Sequence, residues 1–483
     1  TFIDSRSYRS FDFDDGTDTS LQIIGFTITS TTGGANDAGG ALVRIQGQSY
    51  WDGQQDIYVY SSATFKNCIF TIFDSGDLAG EDLKDAAVDV QLGGAVFDNC
   101  EFTNITVDYT DYTCNTCDVF GGAIRVGSPY SNNFGVVLFN RSKLTNITLK
   151  QEEQPGSGGS GALSGAAINI GISIYNQVWL VNTIVADNLS STNYDGYIPF
   201  GIISMRGGEL QLINSTVVNN QINSDLSVMG QGSAIYVDDW IGNDDESPHV
   251  TIFNSIIHGN SFTTNASSIT NYNNQFYMAD FNDGVEAYAS YSIIGGYNNL
   301  EGDEILNLEP EFLDSTYVLH PRSPAIGAGA VQGEDAEGNT IYAPTVDIAG
   351  NMRPNPADED EYEDREAVPD LGAWENELAV TPYPDAPTNL FVIEDHRSVQ
   401  LFWDASDAED VVEYKIYFSA DSITFSLADS VSGRYNTEGS VSSLTNEEYY
   451  WFYVTSVDSN NYESSPSMQE KAKPHFQGPK WYV

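Results

Sequence analysis

The sequence predicts an all-β protein: a parallel β-helix over most of its length, with a smaller module beyond a proline-rich linker. Three observations carry this. A short motif recurs seven times at intervals of 32 to 42 residues, the signature of stacked repeats. Within each copy, apolar residues keep the period of two that belongs to strands. Gly, Thr, Ser, Asn, Val and Ile are abundant, with 43 Gly in 483 residues, a composition of strands and turns rather than helices.

The copies centre on Cys68, Cys100, Ser142, Thr183, Ser215, Ser255 and Ser292, so the central residue is always small. Two residues later stand Phe70, Phe102, Leu144, Val185, Val217, Ile257 and Ile294. Three residues earlier stand Phe65, Phe97, Phe139, Leu180, Leu212, Ile252 and Ala289, and five residues earlier Ala63, Ala95, Val137, Val178, Leu210, Val250 and Ala287. All are apolar, and the three-residue step between inward positions marks a tight corner. Asn precedes the centre in five of the seven copies. Four residues after the centre, six copies carry Asn104, Asn146, Asp187, Asn219, Gly259 or Gly296. Those residue types tolerate the positive φ of a sharp turn, and stacked Asn side chains can hydrogen-bond as ladders.

A second short strand precedes each copy: Leu42-Val43-Arg44-Ile45, Ala87-Val88-Asp89-Val90, Ala123-Ile124-Arg125-Val126, Ala167-Ile168-Asn169-Ile170 and Ala234-Ile235-Tyr236-Val237. Most follow a Gly-Gly or Gly-Ala turn, and residues 23–28 read as an earlier, eighth copy. Length variation falls in loops, as at 151–160 and 239–247. Such units cannot bury their apolar face alone and must stack. A propeller is the rival architecture, but its blades need four antiparallel strands joined by hairpins. The corners favour the helix.

Charge limits the function classes. Lys and Arg number 19 against 69 Asp and Glu, a net charge of −50. That excludes an ordinary nucleic-acid binder, which needs Lys and Arg for phosphate, and disfavours docking on an anionic membrane. A chain 41% hydrophobic can bury a core, so this is no disordered acidic tail. No apolar run reaches the roughly 18 residues of a transmembrane helix. The polar start shows no signal peptide, so a targeting segment is expected to have been removed already, or the chain to be an excerpt of something longer. Acidity of this degree suits an extracellular, salty or calcium-rich setting. Four Cys are too few for a disulfide scaffold.

The end of the repeat region carries a resemblance. Leu319-His320-Pro321-Arg322-Ser323-Pro324-Ala325-Ile326-Gly327, then Val346-Asp347-Ile348-Ala349-Gly350-Asn351-Met352-Arg353-Pro354, then Pro369-Asp370-Leu371-Gly372-Ala373-Trp374-Glu375 resemble the terminal coils of bacterial secreted and surface right-handed parallel β-helix proteins of the pectate-lyase-like kind. The resemblance implies right-handed coils over 1–300, with an N-terminal cap missing, and terminal coils and cap over 301–378. A Pro-rich linker follows at 379–387. Beyond it, Val399-Gln400-Leu401-Phe402-Trp403, Glu413-Tyr414-Lys415-Ile416-Tyr417 and Tyr450-Trp451-Phe452-Tyr453-Val454 resemble a fibronectin type III β-sandwich over 388–473. It implies Trp403 as core tryptophan and Tyr450 as the corner tyrosine whose hydroxyl bonds upstream backbone. The tail at 474–483, with Gly478-Pro479-Lys480-Trp481-Tyr482-Val483, resembles the opening of a further β-helix. Both ends therefore read as cut, and the chain as one repeat of a longer polypeptide.

The candidate chemistry lies on the second strand. Arg44, Asp89, Arg125, Asn169, Ser204 and Tyr236 should stack as an outward column. On related β-helix enzymes such a face binds acidic polysaccharide, with Arg pairing sugar carboxylates and Tyr stacking on sugar rings. The alternative is a surface charge ladder of little energetic value. Lyases need a basic residue beside a carboxylate, often with calcium, and only Arg44, Arg125 and Arg206 fall near one face. Glycosidases need paired carboxylates, and no paired-Asp signature is present. His249 and His258 lie in or beside one coil. Cys114 and Cys117, in Cys-x-x-Cys spacing, are a disulfide candidate; without a second pair they make no four-Cys zinc site. Cys68 and Cys100 are expected as buried thiols. No motif demands a cofactor. The acidic run Asp358-Glu359-Asp360-Glu361 leaves Ca2+ as a candidate without ligand spacing of calcium-loop type.

The expected function is a secreted or cell-surface structural and adhesive protein, bacterial by resemblance, with glycan contact on the solenoid face. Its partners would be polysaccharide, other surface components or further copies of the same modules. The alternative is a polysaccharide lyase or glycoside hydrolase.

Overall fold

The computed structural model describes residues 2–4, 10–14, 21–30, 42–51, 56–74, 86–108, 119–128, 133–151, 161–192, 197–224, 234–238, 247–264, 275–279, 286–296, 300–354, 368–378, 381–422 and 424–476. Cys114, Cys117, the acidic run 358–364 and the 478–483 tail lie outside the described residues. The chain divides into two compact units. One comprises Thr1–Leu306, Ala330–Pro354 and Leu371–Trp374; the other comprises Asn307–Gly329, Asn355–Asp370 and Glu375–Val483.

The first unit is a parallel β-helix. Strands Ser61–Lys66, Gly93–Asp98, Gly135–Asn140, Gln177–Val181, Glu209–Ile213 and His249–Phe253 pair in parallel as one face. The residue before each repeat centre then takes a left-handed backbone, from Asn67 (φ 53°) through Arg141 (φ 51°) to Tyr291 (φ 46°). Asn is preferred there because it tolerates that region. Beyond the corner, Ile69–Asp74, Glu101–Asp108 and Lys143–Gln151 begin the second face. This face bends again at the expected positions: Asn104, Asn146, Asp187, Asn219, Gly259 and Gly296 all have positive φ. A third face of eight parallel strands holds Val43–Gln46, Val88–Gln91, Ile124–Val126, Ile168–Ile170, Ile203–Met205 and Ile235–Asp238. Phe11–Phe13 and Phe276–Ala279, which the repeat does not signal, form its two edges.

The inward positions read from the sequence form one core. Phe65, Phe97 and Phe139 stack coil on coil at 5.3 and 5.1 Å between centroids, with Phe70 on Phe102 at 4.4 Å. Aliphatic residues at equivalent positions, Leu180, Leu212 and Ile252, continue the stack fully buried. Each such side chain contributes about 1.5–3 kcal/mol.

Two polar ladders run through this interior. The hydroxyl of Ser142 donates to the carbonyls of Phe97 and Asn140, and Thr183, Ser215 and Ser255 repeat the arrangement one coil further each time. The Ser142, Ser215 and Ser255 hydroxyls also accept the N–H of the preceding centre, as Ser215 does from Thr183 at 3.1 Å. The carbonyl two residues before each of these centres also accepts a backbone N–H from the preceding coil, as Asn140 does from Asn99, so the hydroxyl adds a second donor to it. Cys68 and Cys100 occupy the same ladder with thiols and are buried, as expected. Corner Asn pairs also occur, Asn99 to Asn67 at 2.6 Å. The more enclosed ladder, however, is Asn188, Asn220 and Asn260, five residues past the later centres, continued by Gln275.

After the last rung, Glu301–Leu306, which pairs only with Glu286–Ile294 among the described strands and exposes Glu301, Asp303 and Glu304, the segment 330–354 returns along coils already built. Ala330 exchanges hydrogen bonds with the Asn254 side chain, Ala336 N–H reaches Thr251 Oγ1, and Asn182 Nδ2 reaches the Val346 carbonyl. Ala373 N–H reaches Thr216 Oγ1. Among the described residues of the span read as terminal coils, 301–306 pairs as a rung and 330–354 lies as a strap across earlier coils.

The second unit holds the fibronectin type III β-sandwich. Thr388–Asp395, Ser398–Asp404 and Glu438–Ser442 make one antiparallel sheet; Ser426–Ser432, Val411–Ser419, Tyr450–Asp458 and Glu470–Ala472 make the other. Trp403 is buried against Tyr414 at 5.5 Å, and the Tyr450 hydroxyl accepts the Thr445 N–H.

Candidate functional site

The structure places the expected column in register. Asp12, Arg44, Asp89, Arg125, Asn169, Ser204, Tyr236 and Tyr277 are successive Cα partners on the third face. The column is not an open face, however. Asp89, Arg125, Asn169, Ser204 and Tyr236 are buried, Asp12 at one end is exposed, and Arg44 and Tyr277 are partly exposed.

The cause is an outer layer. Val119–Phe120, Gly161–Ser164 and Tyr197–Phe200 form a three-stranded parallel sheet of their own. Each is followed by a glycine at positive φ, namely Gly121, Gly165 and Gly201. A Cβ on Gly165 would stand 2.1 Å from the Ile168 carbonyl oxygen, so only glycine makes this reversal. The chain thereby doubles back over its own third face. Ser164 Oγ meets Ser204 Oγ at 2.6 Å and accepts from Asn169 Nδ2. Phe200 lies on Tyr236 at 4.6 Å, and Arg206 lies over the Phe120 ring.

The column's charges are matched within it. Arg125 grips Asp89 through Nε (2.9 Å) and Nη2 (2.6 Å), with side-chain exposures of 5% and 9%, and Gln91 adds an amide donor. Arg44 grips Asp12 in the same forked way but more openly, at 27% and 36%. Burial pushes the Tyr236 hydroxyl well above the usual tyrosine range, aided by the charge of Asp238. Asn169 Oδ1 has no hydrogen-bond partner among the described residues. His258 lies at the end of a first-unit strand, Ile256–His258.

A second site, absent from the sequence reading, is open. Tyr58, Tyr60, Phe134, Val136, Ile174, Tyr175 and Gln177 line a cleft of about 670 Å³. Tyr60, Phe134 and Tyr175 all stand eight residues before a repeat centre, aromatic in three of the first four copies. That spacing was the available signal. Leu92, the equivalent residue between them, takes a left-handed backbone (φ 48°) and is buried. Tyr60 and Phe134 accordingly meet at 5.5 Å, and Phe134 meets Tyr175 at 6.2 Å.

The cleft floor leads to acidic residues. Val136, Gln177, Glu209, His249 and Glu286 are partners on consecutive coils. Gln177 and Gln211 each donate to the Glu209 carboxylate, at 3.2 and 2.5 Å. Burial raises the Glu209 carboxyl above its ordinary range, with Glu337 and Asp335 adding to the rise. His249 Nδ1 stands 3.3 Å from Glu337 and 3.8 Å from Glu286. Among the described residues, no group of three or more His, Cys, Asp or Glu is placed to hold a metal ion.

No family model and no curated protein matches the chain. Solved structures do. A titin multi-domain crystal structure is 24% identical over 20% of this chain and 35% of its own, with a TM-score of 0.18. A Fn3-like protein from Clostridium thermocellum is 20% identical over 21% of this chain and 98% of its own, at 0.16. A β-1,2-glucanase from Parabacteroides distasonis is 23% identical over 22% of this chain and 15% of its own, at 0.17. No helix of the described residues is long and apolar enough to cross a membrane.

Proposed function

We propose that the chain is an extracellular structural and adhesive module of a bacterial surface or secreted protein, a stiff acidic solenoid carrying a fibronectin spacer, with contact to glycan. The observation that carries this reading is the state of the column. Lyase chemistry needs a cation or base turned toward a sugar carboxylate, whereas Arg125 and Arg44 are each committed to an aspartate of the adjacent coil. A buried ladder whose charges are paired coil to coil, with part of it under a second sheet, is a device for rigidity. The test incubates the full chain with plant and marine polysaccharides, with and without calcium, following unsaturated products and new reducing ends. Retention on insoluble glycan without turnover is expected; turnover overturns the reading.

Glycoside hydrolysis is the second reading, favoured by Glu209. A carboxyl shifted upward by burial is the kind of group a general acid requires, and Glu209 adjoins the cleft floor. Product release that Glu209→Gln abolishes would establish it.

A further inference from the structure

We propose that the cleft walled by Tyr58, Tyr60, Phe134 and Tyr175 is a binding site for a neutral polysaccharide chain, an inference that rests on the glycan-contact reading above. Its shape is that of a ligand site: an open depression of about 670 Å³, within the usual size range, combining apolar walls with a few polar groups. The walls are solvent-exposed rings. Tyr58 and Tyr60 are stacked at 6.4 Å and about half exposed, and Tyr175 is 64% exposed. Tyrosines so exposed keep an apolar face and a wet hydroxyl, matching a pyranose, whose C–H faces are apolar and whose rim is hydroxyl.

The rings are spaced as a row along the coil axis. Steps of 5.5 and 6.2 Å, from Tyr60 to Phe134 to Tyr175, are of the order of one sugar residue. Val136 and Gln177 form a floor running the same way, and the Gln177 amide reaches on to Glu209. Tyr58 and Tyr60 lie parallel, 3° apart, whereas Phe134 is turned 54° from Tyr60 and Tyr175 69° from Phe134. A linear chain lying along the axis would therefore stack on the tyrosine pair, pack against the turned rings and place hydroxyls over Gln177 and the Glu209 carboxyl.

Charge selects neutral over acidic glycan. Among the described residues, the cleft is lined by no Lys or Arg, and the chain carries a net charge of −50. A polyuronate would be repelled by that field and find no cation to pair with.

The experiment is affinity electrophoresis of the full chain in gels containing neutral β-glucan, xylan or galactomannan, and in parallel gels of polygalacturonate or alginate. Reducing ends are assayed in the same samples. Retardation by at least one neutral polymer is expected. The Tyr60→Ala/Tyr175→Ala double variant should weaken it about tenfold or more, the size of losing two ring contacts, while Tyr435→Ala, at an exposed ring of the second unit, leaves it unchanged. Bound glycan should also shield Tyr58, Tyr60 and Tyr175 from nitration in the unaltered chain, a readout that needs no variant to fold. Retardation only by polyuronates, retardation indifferent to the double variant with no nitration shielding, or none by any neutral polymer overturns the proposal. New reducing ends would instead overturn the non-catalytic reading, whatever the cleft variants do.

Discussion

Replacing Arg125 by alanine isolates the energetics of the buried column. Asp89 now accepts from Arg125 Nε and Nη2 at 2.9 and 2.6 Å, with both side chains under a tenth exposed. Removing the guanidinium leaves the buried carboxylate with the Gln91 amide as a remaining donor. Breaking a buried pair in this way costs about 3–5 kcal/mol. Arg44→Ala breaks a pair of identical geometry at 27% and 36% exposure, where an ion pair contributes at most about 1 kcal/mol. Urea denaturation followed by circular dichroism should separate the two variants by about 2 kcal/mol or more. The double variant Asp89→Asn/Arg125→Met, lacking both charges, should recover most of the Arg125→Ala loss. Equal losses for Arg125→Ala and Arg44→Ala would refute the claim that burial, rather than the pairing itself, sets the energetics.

Three further outcomes follow from single contacts. Asn220→Ala removes a side chain that serves Asn188, Val185 and Asn260 at once, and urea titration should show a loss of about 1–3 kcal/mol for each buried group left unmatched. The Cys100 thiol is pushed far up by its hydrogen bond with Cys68 and by burial; iodoacetamide at neutral pH should label it only as fast as the solenoid unfolds, and faster labelling of native protein refutes its placement. In the sandwich, burial of Glu463 works against its charge, yet donors from Lys415, Tyr417 and Thr455 hold its carboxyl below the usual range. A depressed carboxyl adds stability above its unfolded pKa that is lost as pH falls through the folded one, so acid should weaken the sandwich, and Glu463→Gln should flatten that part of the pH profile.

The stack was legible because its constraint is local and repeated. A position such as that of Phe97 is apolar in every copy and that of Asn146 takes positive φ in six of the seven, so alignment of copies exposes both. What lay over the stack was not legible, because period-two alternation says which side of a strand a residue takes and nothing about what lies on that side. Arg125 and Asn169 do point away from the core; the glycines that fold an outer strand over them read simply as turns. The strap was hidden for another reason: its partners, such as Val346 and Asn182, are 164 residues apart. The cleft left a trace in the aromatics eight residues before the centres, diluted by Leu92 turning inward.

The last rung has a consequence for solubility. A parallel coil offers the next strand a ready template, and an end left open invites end-to-end growth into filaments. Glu301–Leu306 exposes Glu301, Asp303 and Glu304 at that end, so a second molecule docking there would bring carboxylates into line with its own acidic surface. The rung is a chain stopper written in charge, and its strength is therefore set by the surroundings: acid or divalent cations, by neutralising three side chains, would turn a terminus into a joint.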